Sequence, residues 1–236
     1  MPLTGFATKV DTIHIPNTDS LLIRSLQDRQ QYYDPDGTAA HLGINSALWP
    51  LFGLLWPSAT YLAGYLSLRA VNTDERILEI GCGLALASIV AHRRGANITA
   101  SDRHPMVPSF LLENLRLNNL STTLRYRHGQ WGANIPSTNT QISQPLLSER
   151  YDLIIGSALL YERDAPYAVA KFINRHATQH AEVWMVDADR GYRSSFNRQM
   201  ATYNFTLCKE NHLKKQLQSH TTAPYKGRLS IYRRIS

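Results

Sequence analysis

Two glycines separated by one residue, with acidic side chains placed around them, form the most informative pattern in this sequence. Gly81 and Gly83 follow the apolar segment Leu78-Glu79-Ile80, and a second apolar stretch begins at Leu84. Glycines let the backbone turn tightly and approach a ligand, while the start of a following helix supplies free N–H groups. Asp102, at the end of the next apolar segment, can accept hydrogen bonds from ribose hydroxyls. The pattern predicts a nucleotide-type site at the carboxyl edge of a parallel sheet.

Glycine spacing and charge distinguish two classes of ligand for such a site. A dinucleotide-binding turn needs Gly-x-Gly-x-x-Gly, and Leu86 occupies the position of the third glycine. Glu79, just before the turn, is a poor neighbour for pyrophosphate and a good neighbour for positive charge. S-adenosylmethionine carries an ammonium and a sulfonium but no phosphate, so the pattern favours this molecule. A tight turn without any ligand is the remaining alternative.

Strands and helices must alternate along the chain to position these residues. Short apolar or alternating segments predict seven strands, at 76–80, 97–101, 123–127, 152–155, 182–186, 205–208 and 229–233. Stretches with apolar residues at helical spacing predict helices at 84–94, 105–117, 166–176 and 192–203. This alternation predicts an α/β fold with a doubly wound, mostly parallel seven-stranded sheet that ends in antiparallel strands. A polar loop is expected from 132 to 148.

The first 45 residues are predicted to form an N-terminal extension that precedes the ligand-binding domain of residues 46–236. The hydrophobic signal of the extension is modest, with short strands expected at 12–15 and 21–23. The amino end lacks the continuous apolar core of a signal peptide, so we expect a soluble, cytoplasmic protein.

An uncharged stretch from Leu42 to Leu68 is long enough to span a bilayer. It contains Pro50, Pro57 and three glycines, which would make a weak membrane helix. Apolar residues recur at helical spacing from Ala47 to Leu68, and Trp56-Pro57-Ser58-Ala59 opens the longest continuous part. We therefore expect a buried helix of a soluble domain and no membrane association.

Further features accompany the glycine turn: Trp56-Pro57-Ser58-Ala59 before the first predicted strand of the sheet, Gly95-Ala96 before the second, Trp131 after the third and the segment from Tyr151 to Glu162. Together with Glu79-Ile80-Gly81-Cys82-Gly83 they resemble the class I, seven-β-strand S-adenosylmethionine-dependent methyltransferases, which have a Rossmann-like fold. Within that class the sequence is most similar to the protein-lysine methyltransferase branch with an Asp-x-x-Tyr motif. The resemblance covers roughly residues 45 to 205.

The resemblance implies a role for each matching position. Cofactor-binding positions are implied at Trp56, Glu79, Gly81, Gly83, Asp102, Trp131 and Ser157. The backbone at Gly81 and Gly83 would meet the methionine part, Asp102 would hold the ribose, and Trp131 would contact the adenine side. Packing in the hydrophobic core is the plain alternative for Trp131 and Trp56.

One position departs from the branch. Where the family has Asp-x-x-Tyr, this sequence has Ala158-Leu159-Leu160-Tyr161, so the tyrosine is retained and the carboxylate is missing. The resemblance implies that the family's aspartate orients the incoming amine, in a reaction that depends on positioning and electrostatics. Three explanations are open: a substrate other than lysine, a substitute carboxylate from Glu162 or Asp164, or impaired activity. We hypothesise the last and take Tyr161 and Ala158 as the catalytic positions.

The charge is unevenly distributed along the chain. The net charge is +7, and residues 190–236 hold ten basic residues and one acid. Such asymmetry is typical of proteins with a polyanionic partner, so a nucleic-acid methyltransferase remains an alternative, as does a solvated basic face. Residues 157–161 lack the two prolines of the Asn-Pro-Pro-Tyr motif that base-amino methyltransferases share.

The leading prediction is a methyltransferase that uses S-adenosylmethionine to modify a protein side chain, of the lysine type. A small-molecule methyltransferase and a non-catalytic binding module of the same fold are further alternatives. With only two cysteines and no His and carboxylate cluster at ligand spacing, we expect neither a disulfide framework nor a metal. A domain of this size can bury its own core, so we expect a monomer.

Overall fold

A computed structural model of the chain describes residues 5–131, 144–213 and 225–235. The strands are β1 (Thr8–Ile13), β2 (Leu21–Leu26), β3 (Ile77–Ile80), β4 (Ile98–Asp102), β5 (Arg125–His128), β6 (Tyr151–Ser157), β7 (Ala177–Ala188), β8 (Phe205–Leu213) and β9 (Gly227–Arg234). The α-helices are α1 (Thr38–His41), α2 (Pro57–Leu68), α3 (Leu86–Arg93), α4 (Val107–Leu117), α5 (Ala165–His176) and α6 (Arg193–Thr202), and a 3₁₀ helix spans Trp49–Gly53.

The seven strands from β3 onward form one sheet in the order β5-β4-β3-β6-β7-β9-β8. The pairs between β5, β4, β3, β6 and β7 are parallel, and β9 pairs antiparallel with both β7 and β8. The predicted doubly wound sheet with terminal antiparallel strands is therefore confirmed. β4 pairs with one side of β3, and β6 pairs with the other side. The loops that follow β3 and β6 therefore run in opposite directions, and the crevice between them is the topological switch point of the sheet.

The core lies on both faces of this sheet. Neighbouring residues of β6 alternate between two buried clusters: Leu153 and Ile155 join the cluster with α2, α3 and α4, whereas Ile154 joins the cluster with α5 and α6. Alternation of this kind follows from the two-residue period of a strand that is covered on both faces. The helices therefore hold the parallel strands rigidly and leave the loops at their carboxyl ends to form a site.

Asn114 of α4 and Asn118, the residue that caps the end of this helix, attach the β1–β2 hairpin to this domain. The amide of Asn114 accepts the N–H of Arg24 (2.7 Å) and donates to its carbonyl (3.3 Å). Asn118 forms the same pair of bonds with Leu22, at 2.9 and 2.8 Å. Four residues of helix rise about 6 Å and two residues of strand rise about 6.6 Å, so the two amides match alternate residues along the strand edge. The backbone N–H and C=O groups along this edge of β2 thus form their hydrogen bonds with the two asparagine side chains.

Two local predictions need correction. The first strand was expected at 12–15, whereas β1 spans Thr8–Ile13, because the pairing with β2 and not an apolar pattern sets its limits. The helical pattern from 47 to 68 is interrupted by the extended conformation of Trp56 (φ −99°, ψ 132°), which the following proline favours. Most of the polar loop predicted at 132–148 lies outside the described residues.

The uncharged stretch 42–68 forms the 3₁₀ helix and α2 and packs into the core. Across the described residues, no helix combines the length and the hydrophobicity needed to cross a membrane.

Replacing Asn114 tests the attachment of the hairpin. Asn114→Ala removes a fully buried amide and leaves the N–H and carbonyl of the partly buried Arg24 without these partners, so we expect a loss of about 1–3 kcal/mol in the free energy of unfolding. Asn118→Ala is the matched control and should cost less, because its bonds lie where water can replace them. Urea unfolding measures both, and equal losses in the two variants would contradict this account.

Candidate active site

A cavity of about 260 Å³ opens at the carboxyl ends of β3, β4 and β6. Eight of the nine predicted site residues line it: Trp56, Gly81, Gly83, Asp102, Trp131, Ser157, Ala158 and Tyr161. Residues that are far apart in the sequence therefore meet at the topological switch point, where open α/β sheets bind their ligands.

The glycine turn forms the floor of the cavity and needs glycine at both positions. Gly81 and Gly83 have φ angles of 57° and 50°, in the left-handed region that L-residues rarely adopt. A Cβ at Gly81 would overlap the side chain of Leu159, and one at Gly83 would lie 2.9 Å from the carbonyl oxygen of Phe52. The backbone thus approaches the opposite wall closely, as a cradle for a ligand requires.

Asp102 ties the end of β4 to this turn. One oxygen of its carboxylate accepts the N–H of Gly83 and the other accepts the N–H of His104, both at 2.9 Å. The side chain is nearly buried at the cavity wall, and burial raises the pKa of Asp102. This carboxylate therefore fixes the turn and is also exposed to a ligand in the cavity.

Glu79 is the one predicted site residue that does not line the cavity. It lies buried beneath the turn, where its carboxylate accepts the N–H of Ser88 at 2.8 Å and the hydroxyl of the same residue. Ser88 is in the first turn of α3, so Glu79 occupies the end of the helix at which anions bind. Burial raises the pKa of Glu79 to about 7. Its position in the fold is that of a support for the turn.

These two carboxylates decide between the ligand classes considered for the turn. A dinucleotide places its pyrophosphate on the N–H groups of such a turn and helix. Here the N–H groups of Gly83 and Ser88 already donate to Asp102 and Glu79. The carboxylate of Asp102 on the wall would also repel a second anion, whereas a ligand with a ribose and positive charge fits. The structure therefore agrees with S-adenosylmethionine.

A histidine that the sequence analysis did not select forms another part of the wall. His104 stacks on Phe52, with ring centroids 3.9 Å apart, and its Nδ1 accepts the N–H of Met106 at 3.2 Å. Burial lowers the pKa of His104 to about 3, so the ring is neutral and Nε2 carries the proton. That N–H has no partner among the described residues. It is a buried donor in a cavity that could hold a ligand acceptor.

The segment 158–161 enters the cavity from the end of β6. Ala158 has a φ of 56° and donates its N–H to the carbonyl of Val186 at 2.9 Å. Aspartate and asparagine adopt this left-handed conformation more readily than alanine does, so the backbone suits the aspartate of the family motif. Tyr161 follows at the cavity wall; its side chain is exposed, and its hydroxyl accepts a hydrogen bond from Arg103.

A partly buried carboxylate of the neighbouring strand contacts this segment. Asp187 accepts the N–H of Leu160 at 2.8 Å, and burial raises the pKa of Asp187 to about 6. It directly follows the segment predicted as a strand at 182–186, so the rule that sites lie at carboxyl ends of strands could have identified it. Glu162 and Asp164, the substitutes considered from the sequence, are both exposed and neither lines the cavity.

Comparisons with known proteins agree with this geometry. The model of a family described as lysine methyltransferase matches residues 51–203. The chain is 24% identical to protein N-lysine methyltransferase METTL21A of Xenopus tropicalis, over 82% of this chain and 87% of that protein. It is 32% identical to histone-arginine methyltransferase METTL23 of Rattus norvegicus, over 54% and 55% of the two chains. It is 31% identical to protein-lysine methyltransferase METTL21E of Bos taurus, over 50% of this chain and 41% of the relative.

Solved structures show the same fold. A ribosomal protein L11 methylase of Lactobacillus delbrueckii superposes with a TM-score of 0.52 at 18% identity, covering 75% of this chain and 79% of the other. SMU.776, a methyltransferase structure complexed with SAH, superposes with a TM-score of 0.53 at 13% identity, covering 75% and 50%. At these identities the likeness concerns the fold alone.

Two glycine variants test the cradle. Gly83→Ala should bring its new Cβ against the carbonyl of Phe52 and also force alanine into a left-handed conformation, whereas Gly95→Ala incurs only the second cost. We expect Gly83→Ala to lower the free energy of unfolding by about 1–3 kcal/mol more and to abolish thermal stabilisation by S-adenosylhomocysteine. Gly95→Ala should keep that stabilisation. If Gly83→Ala kept it too, the turn would not be part of the ligand site.

The raised pKa of Glu79 predicts a pH dependence of stability. The folded protein holds this proton up to about pH 7 and the unfolded chain releases it near 4.5, so the free energy of unfolding falls as the pH rises between these values. This fall in the free energy of unfolding amounts to a value on the order of 3 kcal/mol across the window, and we expect Glu79→Gln to abolish it. Denaturation curves at a series of pH values measure it, with Glu162→Gln as an exposed control. An unchanged slope in Glu79→Gln would contradict the assignment.

Proposed function

This chain belongs to the lysine methyltransferase family and uses S-adenosylmethionine as methyl donor, and from this premise we propose that it methylates the side-chain amine of lysine in a protein substrate. The observation that carries the proposal is the cavity itself, in which the glycine turn and Asp102 lie opposite Ala158 and Tyr161. One side thus has the groups for a ribose-bearing cofactor, and the other has the residues of the family's substrate motif.

The cofactor, when bound, supplies a methyl group on a positively charged sulfur that a neutral amine can attack. Asp102 would hold the ribose, with the backbone of Gly81 and Gly83 against the methionine part. Trp131 packs edge-on against Phe172, with ring centroids 5.2 Å apart, and would present its remaining surface to the adenine. These residues act by binding and orienting, which is the main requirement of a displacement reaction.

Tyr161 would orient the acceptor amine and not take its proton. Burial raises the pKa of Tyr161, and Arg103 only partly offsets the effect, so the phenol stays protonated at neutral pH. Its hydroxyl can still accept and donate hydrogen bonds at the cavity wall. Because Ala158 offers no carboxylate, the proton of the amine would leave to water, and transfer would be slower than with the motif aspartate.

Lysine is favoured over arginine as the acceptor. The relatives include a histone-arginine methyltransferase, so both amino acids need to be considered. A guanidinium stays protonated in proteins and is bound by carboxylates that match its fork of donors. Asp102 is the one carboxylate on the described wall, and in this proposal it holds the ribose of the cofactor and is not available to a guanidinium. A lysine amine, which can lose its proton, needs no such partner.

The basic carboxyl end gives little support to a nucleic-acid substrate. Several of its arginines form ion pairs within the chain: Arg193 and Arg228 with Glu210, Arg228 with Asp189, and Arg233 with Glu182. Three of the ten basic residues of this segment are thus held in ion pairs, which reduces the positive charge that is free to attract nucleic acid.

We extend the proposal to the oligomeric state and the cellular location of the enzyme and to the role of its first residues. It would act as a monomer in the cytoplasm, with residues 1–45 as an extension that shapes the entrance of the site. Arg29 and Ile44, both from this extension, lie on the cavity wall and support that role.

Transfer of labelled methyl from S-adenosylmethionine into a lysate of the source cells tests the proposed function. Label should appear in protease-sensitive material and, after acid hydrolysis, as methyllysine. Methylarginine, labelled nucleic acid or a labelled soluble metabolite would contradict the proposal and identify the substrate class instead. No transfer despite measurable binding of S-adenosylhomocysteine would favour a non-catalytic binding module.

Restoring the motif carboxylate tests the role of position 158. Ala158→Asp should raise the rate of transfer to lysine by about tenfold or more, because a carboxylate there can hold the amine during proton loss. Ala158→Asn is the matched control, since it suits the left-handed backbone equally well and adds no charge. Equal rates for the two variants would show that the missing carboxylate does not limit the enzyme.

A further inference from the structure

Three arginines from three separate segments line the cavity. Arg29 follows β2, Arg103 follows β4 and Arg190 follows β7. Arg103 is half-buried beside Tyr161, and Arg29 and Arg190 are exposed. We call this set the cavity arginines. They bring positive charge to the wall from the side of the extension and from two loops of the sheet.

The cavity arginines have no carboxylate partner among the described residues, unlike the arginines that form ion pairs elsewhere in the fold. Ion pairs within the described ranges involve Arg24, Arg69, Arg76, Arg127, Arg193, Arg228 and Arg233. None of the cavity arginines forms an ion pair with any carboxylate of these ranges. The stretches 1–4, 132–143 and 214–224 contain no Asp or Glu, so no acidic side chain of the chain is left to supply one.

The carboxylates nearest to this wall do not neutralise it. Each oxygen of the Asp102 carboxylate accepts a hydrogen bond from a backbone N–H group. Asp187 attracts Arg190 but lies outside the cavity and bonds to Leu160. Glu162 is exposed next to Tyr161 and likewise does not line the cavity. Three arginines against the one carboxylate of Asp102 leave an excess of positive charge on the wall, and such an excess attracts ligands of the opposite sign.

We propose that the acceptor lysine lies among acidic side chains of its protein substrate, and that these carboxylates pair with Arg29, Arg103 and Arg190 at the cavity. This proposal rests on the proposed lysine methyltransferase activity and names the substrate class. Guanidinium groups suit carboxylates because they offer two parallel hydrogen bonds. The substrate thereby supplies the negative charge that Ala158 does not provide.

The cavity arginines also favour the methyl transfer itself. An isolated lysine ammonium would be repelled by the cavity arginines, and positive neighbours lower the pKa of an amine. The acidic neighbours of the lysine would bring the segment to the site, while the arginines favour the neutral amine at the end of the side chain. As the nitrogen forms its bond to the methyl carbon, the carbon–sulfur bond breaks, and the extra proton leaves the nitrogen to water.

Binding of three peptides, measured separately from turnover, tests this proposal. The peptides carry one central lysine flanked by glutamate, by serine or by arginine, and bind in the presence of S-adenosylhomocysteine, with fluorescence anisotropy as the readout. We expect the glutamate-flanked peptide to bind about tenfold more tightly than the serine-flanked one, with a difference that shrinks as salt is added. Equal affinities for the three peptides would overturn the proposal.

Charge reversal localises the preference. The double variant Arg29→Glu/Arg190→Glu should lose the preference for glutamate flanks or reverse it. Arg116→Glu/Arg198→Glu is the matched control, because both residues are exposed on helices and do not line the cavity. The control should bind all peptides as the unaltered chain does. A preference that survives in the first variant, or is lost in the control, would show that the cavity arginines are not its source.

Methylation of the same peptides separates this proposal from the function on which it rests. Equal methylation of all three peptides would leave the lysine methyltransferase activity intact and overturn the preference for acidic flanks. The expected order of affinity without methylation of any lysine, in peptides or in lysate protein, would instead support the charge preference and contradict the lysine chemistry.

Discussion

The site depends on a glycine turn that two buried carboxylates hold in place. Asp102 binds the N–H of Gly83 from the neighbouring strand, and Glu79 binds the N–H of Ser88 from beneath. Burying two carboxylates so close together is costly, and the raised pKa values of both express that cost. The hydrogen bonds to backbone N–H groups offset it. The glycine turn is thereby held in its left-handed backbone conformation at the cavity wall.

The remaining parts of the site follow from the sheet order. Because β3, β4, β6 and β7 are parallel neighbours, their carboxyl ends lie at one edge, and the residue after each strand faces the same region. Arg103 follows the strand of Asp102, the segment with Ala158 and Tyr161 follows β6, and Arg190 follows β7. The charge on the cavity wall is therefore set by loop residues that follow the strands of the sheet.

Much of this could be predicted from the sequence because the signals were local. The alternation of strands and helices, the glycine turn and Asp102 all lie in short segments whose patterns identify them. The orientation of Glu79 could not be predicted, since β3 is buried on both faces and a strand with both faces covered has no polar side. The attachment of β2 by Asn114 joins residues ninety positions apart, and no local pattern records it. Strand β1 was misplaced because its residues are mostly exposed and lack an apolar alternation.

The central claim is that the cavity at the glycine turn binds S-adenosylmethionine, with the N–H groups of Gly83 and Ser88 already bonded to Asp102 and Glu79. Calorimetric titration of the full chain with S-adenosylmethionine and, separately, with NAD tests it most directly. The account predicts one S-adenosylmethionine bound per chain and no detectable binding of NAD. Binding of NAD, or no binding of S-adenosylmethionine, would contradict it.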